Sequence, residues 1–205
     1  MRPPVLFPLF APTTSIPGIG PRLAALIARV AGTKLTDLLW RLPSGLTDWR
    51  EIKTVADAVP GERAMFRLQI VEHQPPRNPK SPYKILATDG TSFIELTFFR
   101  PHKDYLDKTF PKGETRLIGG RMEMFKDRPA MAHPERIFTE AEAETGRMID
   151  TIYPLTEGLM PKVMAKAAAY AVAQTPDLAE WQDAAWRQKN EWPSWQSAIR
   201  IVHAP

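Results

Sequence analysis

Cysteine is absent from all 205 residues, which excludes disulfide staples and thiolate chemistry of any kind. The four histidines, His73, His102, His133 and His203, are scattered without paired spacing, so no metal site is expected. No run of about 18 uncharged apolar residues occurs, and Met1-Arg2-Pro3-Pro4 lacks the long apolar stretch of a secretory signal. A cytoplasmic chain without a membrane span is therefore expected. The sequence also lacks a phosphate-cradling Gly-x-x-x-x-Gly-Lys-Ser/Thr loop, a close acidic cluster with metal-ligand spacing and an activated nucleophile, which leaves an enzyme as the least favoured class.

What is present is enough apolar material, 43% of residues, to bury one large core or two small ones. The net charge of +4 is unremarkable in size but uneven in placement. Between Pro60 and Pro134 thirteen Lys and Arg face nine Asp and Glu, whereas the rest of the chain carries fourteen of each. A basic excess gathered in one segment is the footprint of a phosphate-facing surface, because each neutralised phosphate releases condensed counterion. A solvated basic face is the competing reading.

Periodicity divides the chain into three segments, residues 1–50, 51–139 and 140–205. In the first, Leu23, Ile27 and Val30 recur at helical spacing after Pro17-Gly18-Ile19-Gly20-Pro21, with Thr14 or Ser15 as the expected cap and Gly32 as the stop. Thr36 is the expected cap of a second short helix. From Ala64 the period changes to two: Ala64, Phe66, Leu68 and Ile70 alternate with Met65, Arg67 and Gln69, which predicts a half-buried strand over 63–71 with Arg67 outward. Further strands are predicted over 83–88, 91–100, 114–123 and 130–138, with an Asp89-Gly90 hairpin, a helix over 102–109 and a Pro-rich loop over 74–82. That order is the one of a five-stranded OB-fold barrel, for which Gly119 and Gly120 would allow sharp coiling. An acidic connector, Glu140-Ala141-Glu142-Ala143-Glu144, leads to helices predicted over 161–174, 178–188 and 193–202. Trp181, Trp186, Trp192 and Trp195 sit there at roughly helical spacing, as core or docking contacts rather than a ligand box.

Taken in order, five stretches resemble the start of the RecG family of DNA helicases. They are Ser15-Ile16-Pro17-Gly18-Ile19-Gly20-Pro21, Leu35-Thr36-Asp37-Leu38-Leu39-Trp40-Arg41-Leu42-Pro43, Asp89-Gly90 through Leu96-Thr97-Phe98-Phe99, His133-Pro134-Glu135, and Tyr153-Pro154-Leu155-Thr156-Glu157-Gly158-Leu159. The resemblance implies a wedge module that grips branched DNA, replication forks and Holliday junctions, and parts its strands. It also implies that the motor, with its ATP and magnesium, lies outside this sequence. The chain itself is then expected to need no cofactor, to act as a monomer and to have branched DNA and its own helicase domains as partners.

The resemblance implies stacking roles for an aromatic after the third barrel strand and a tyrosine shortly beyond it, which Phe99 and Tyr105 match. Alternation independently leaves Phe99 on the solvent face, where a bare ring calls for a flat partner. Packing of Phe99 under the linker helix or against the motor is the other reading. Arg67, Lys84, Arg100, Lys103 and Arg121, with Arg77 and Lys80 in the Pro-rich loop, are candidates for phosphate contacts that position DNA without reading sequence. Gly18 and Gly20 resemble the hairpin of helix-hairpin-helix modules, whose backbone N–H groups hold a phosphate, although the same glycines suit a plain tight turn. A generic single-stranded DNA or RNA binder and a protein-docking domain stand as alternatives.

Overall fold

The computed structural model describes residues 3–78, 81–99, 102–145 and 148–205. Along the chain the elements are α1 (Pro21–Val30), α2 (Leu35–Trp40), β1 (Gly45–Asp48), β2 (Arg63–Gln74), β3 (Tyr83–Thr88) and β4 (Phe93–Phe98). Then come α3 (Lys103–Thr109), β5 (Thr115–Arg121), β6 (Glu123–Phe125), β7 (Arg128–Ala132), β8 (Arg136–Phe138) and α4 (Glu140–Thr145). The chain closes with β9 (Ile149–Ile152), α5 (Pro161–Ala173), α6 (Ala184–Lys189) and α7 (Trp195–His203). Two compact units result: a helical one from Met1–Thr47 with Ile149–Pro205, and a sheet unit from Asp48–Met148.

In the helical unit the ends of the chain share one core, in which Ile27, Leu38 and Leu39 meet Met164, Ala167 and Ala171. The alanines of α5 leave room for close helix approach. Helix starts differ from the sequence expectation, because local hydrogen bonds decide them. Thr13–Ser15 forms a 3-10 turn instead of a cap, and α1 begins at Pro21, whose fixed φ suits a first turn, with Gly20 before it. At α2 the Lys34 N–H donates to Asp37 Oδ2 at 3.0 Å, so Thr36 is not the cap. The helix predicted over 178–188 is cut to α6 by Asp183, whose Oδ1 accepts the Trp186 N–H at 2.9 Å. Ser194 likewise sets the start of α7 at Trp195. The β1–β9 pair was not anticipated by the sequence reading.

Among the described residues the sheet unit has seven strands in the order β6-β7-β4-β3-β2-β5-β8, an open order rather than the closed five-stranded barrel expected. The reason lies in the last predicted strand. It breaks at His133, whose φ is +47°, and its halves pair apart: β7 runs parallel to β4, while β8 runs antiparallel to β5. Two further expectations are corrected. Met65, read as outward, is fully buried, because Trp49 and Leu117 cover that side of β2. The acidic connector is the helix α4, started by reciprocal bonds in which Glu142 Oε2 accepts from the Thr139 N–H at 2.8 Å and Thr139 Oγ accepts from the Glu142 N–H at 3.2 Å. The Thr139 N–H and then its hydroxyl, both donating to Glu142 Oε2, hold that carboxyl below the usual range.

The glycines of β5 answer a packing need. A Cβ on Gly119 would stand 2.9 Å from the Trp49 ring, and one on Gly120 2.6 Å from Met131 Sδ. The main core, with Phe66, Leu68, Ile85, Leu96 and Phe110, fills one face of the sheet, while on the other face of β3 and β4 Lys84, Leu86, Glu95 and Thr97 are half-buried and Phe93 is exposed.

Candidate nucleic-acid interface

β4 follows its predicted alternation: Ile94, Leu96 and Phe98 point into the core. Phe99, one residue beyond the strand, is 57% exposed. Its position is held by His133, which sits in the break between β7 and β8. The His133 N–H donates to the Thr97 carbonyl at 3.0 Å, and the Phe99 N–H donates to His133 Nε2 at 3.2 Å. Nε2 is therefore the unprotonated nitrogen. The imidazole also lies 5.5 Å from the Phe99 ring and edge-on to Phe98 at 6.0 Å. An exposed ring fixed at its backbone and supported on one side is preorganised for stacking. Sequence reading carried His133 only as part of a resemblance; its left-handed φ leaves no mark in composition or periodicity.

Tyr105 lies in α3 and is 56% exposed. That helix is tied to the sheet by His73 of β2, whose Nε2–H donates to the Phe110 carbonyl at 2.7 Å while Nδ1 accepts from Tyr83 Oη at 2.9 Å. Asp107 is 3.5 Å from the same ring. Burial, and then the Asp107 charge, push the Tyr83 hydroxyl up from its ordinary value, so it stays a donor.

Register sorts the cationic candidates into two groups. Lys84 faces Thr97, two residues before Phe99, and reaches Glu95 at 2.7 Å. Lys103, which opens α3, is exposed and has no ion pair among the described residues. These two lie at the Phe99 end of the sheet. Arg67 and Arg121 lie at the other end, where Gln69 faces Thr88 and Thr88 faces Phe93. Arg67 turns to Glu140 of α4 at 3.5 Å, in a groove of about 430 Å³ shared with Arg50, Leu117 and Met148. Arg77 is exposed in its loop. Arg100 and Lys80 fall outside the described residues.

The Gly18 turn belongs to the other unit. Gly18 has φ +83°, and Lys166 Nζ donates to the Pro17 carbonyl at 2.6 Å. A Cβ on Gly18 would approach that amine to 3.2 Å, whereas one on Gly20 would meet nothing. The turn thus has an internal structural partner in α5. Among the described residues no group of three or more His, Cys, Asp and Glu could hold a metal ion, and no helix is long and apolar enough to cross a membrane.

Comparison with known proteins covers both units. The RecG wedge domain family matches residues 13–174. The ATP-dependent DNA helicase RecG of Haemophilus influenzae is 27% identical over 202 residues, 95% of this chain and 28% of that protein. The RecG of Aquifex aeolicus is 25% identical over 130 residues, 63% of this chain and 16% of its own length. The solved structure of RecG bound to a three-way DNA junction superposes with a TM-score of 0.78 at 23% identity, over 96% of this chain and 27% of that one. The chain thus spans between a sixth and somewhat over a quarter of the length of these relatives. A match that runs from the 3-10 turn before α1 to the end of α5 takes in the break at His133 and the exposed Phe99, and on it this chain belongs to the RecG wedge domain family.

Proposed function

We propose that this chain is the branched-DNA-binding, strand-separating wedge of a RecG-type helicase, in which residues 51–139 meet the DNA and residues 140–205 lead toward the motor. The observation that carries this reading is the Phe99 ring, 57% exposed and pinned by His133 at the end of β4. Phe99 and Tyr105 stack on bases where the arms part. Lys84, Lys103 and Arg100 hold phosphates nearby, and Arg67, Arg121, Arg77 and Lys80 extend the cationic margin. Stacking is tolerant of base identity, as a protein working on forks of any sequence requires. The wedge splits strands when a motor carrying ATP and magnesium draws DNA across it, so the chain alone works as a cytoplasmic monomer without a cofactor.

The test is a titration of a three-way fork, a plain duplex and a single strand with this chain and with Phe99→Ala. The fork is expected to bind best, with affinity falling as salt rises. Phe99→Ala should weaken fork binding about five- to one-hundred-fold while leaving duplex binding nearly unchanged. Equal affinity for fork and single strand would favour a generic single-strand binder. No binding at low salt would favour a protein-docking domain.

A further inference from the structure

Phe125 stands apart from the residues already placed at the interface. It closes β6 at 56% exposure, a large ring at a strand tip. The turn behind it is tight, since Lys126 and Asp127 both take left-handed φ, 52° and 59°, the geometry of a two-residue hairpin whose twist matches its strands. That turn sets Lys126 Nζ 5.5 Å from the ring centroid, and Lys84 Nζ reaches to 5.9 Å from β3.

Pairing in the sheet decides which way the ring faces. Glu95 of β4 lies opposite Ala130 of β7, and Ala130 lies opposite Glu123 of β6. Phe93, two residues before Glu95, and Phe125, two after Glu123, therefore share the outward face that Phe99 also uses. Phe93 is 55% exposed. From Phe93 to Phe99 the strand advances about 20 Å, a stretch that an unpaired arm of a few nucleotides can follow. The acids of this face are Glu72, Glu95, Glu123 and Asp127, and Glu95 is held by Lys84 at 2.7 Å. Among the described residues Lys126 and Arg128 have no carboxylate at ion-pair distance, so both are open to phosphate. An isolated ring bordered by Lys84 and by Lys126 suits a stacked base with its phosphates better than the continuous apolar surface of a protein partner.

Resting on the reading of this chain as a DNA wedge, we propose that the β6–β7 hairpin is a second base-stacking site. There Phe125 takes an unpaired base of the arm that passes Phe99, and Lys126 and Arg128 hold its phosphates. The site adds affinity only for forks that carry a single-stranded arm.

The experiment compares two forks of the same sequence, one with a single-stranded arm carrying 2-aminopurine and one fully paired, against this chain and its Phe125→Ala and Phe125→Tyr forms. The exposed position of Phe125 lets both variants fold, which circular dichroism checks. The arm is expected to tighten binding and to change 2-aminopurine emission. Phe125→Ala should cost about five- to tenfold on the armed fork and nothing on the paired one, and Phe125→Tyr should restore both signals. An unchanged Phe125→Ala, or a loss on both forks alike without rescue by tyrosine, overturns the second site. If Phe99→Ala still erodes fork preference in that case, the wedge reading stands. Failure of the unaltered chain to bind either fork removes both.

Discussion

The two units use the same pair of residue types in different settings. In the helical unit His203, on α7, is buried: its Nε2–H donates to the Leu39 carbonyl at 3.0 Å and its Nδ1 accepts from Tyr153 Oη at 2.8 Å. In the sheet unit His73 makes the same two kinds of bond, to Phe110 and Tyr83, but its side chain keeps 16% exposure and Asp107 stands beside it. The aromatic residues diverge likewise. Trp186 and Trp192 pack edge to face at 4.6 Å within the helical unit, whereas Phe93, Phe99 and Phe125 stand unpaired with each other on a sheet face among cations. Both units keep large rings at the surface, Trp40 and Trp181 in one and Phe93, Phe99 and Phe125 in the other, but in the sheet unit Lys84 and Lys126 border the exposed Phe125 ring.

The largest test of that difference is Phe66→Ala, which empties the centre of the sheet core. It should cost about 3–5 kcal/mol, seen as faster hydrogen exchange across β2, β3 and β5. Amides of α5 should be affected far less, because Phe66 has no place in the helical core. Next comes the histidine pair. His203→Phe keeps the volume but strips two buried partners of their bonds and should cost about 2–3 kcal/mol in urea denaturation. His73→Phe should cost nearer 1 kcal/mol, because water can reach part of its site. Equal losses would erase the contrast drawn between the two settings.

The smallest effect concerns acid. Burial works against the Asp89 carboxylate, but bonds from the Val55, Thr91 and Ser92 N–H groups and the Thr91 hydroxyl outweigh it and hold the carboxyl below its ordinary value. A folded-state value below the unfolded one means stability present at neutral pH and lost as pH falls through the folded value. Acid should therefore loosen exchange at Val55, Thr91 and Ser92 before it reaches the helical unit. Asp89→Asn should remove about 0.5 kcal/mol and flatten that dependence.

Much of the sheet unit was legible because alternation reports directly on which residues face a core. β3, β4 and α3 fall close to their predicted bounds, and Phe99 is on the face that alternation gives it. Alternation failed at Met65, where a second layer formed by Trp49 and Leu117 covers the face that period two had assigned to solvent. Phe125 went unsingled because three residues of β6 are too few to set a period. The candidate site was half visible: alternation marked Phe99, the family resemblance added Tyr105, and residue type marked the cations as a group, but only strand pairing separated Lys84 from Arg67 and Arg121.

By itself the sequence determined the periods, the stops at proline and glycine and the ordered motifs of the wedge family, since each depends on residues near one another in the chain. The tertiary structure alone decided that the chain ends build one core, that the last predicted strand divides at His133 between two sheet neighbours, and that a histidine thirty-four positions away pins Phe99. These are contacts between distant residues, whose free energy comes from burial and hydrogen-bond geometry that no local pattern encodes.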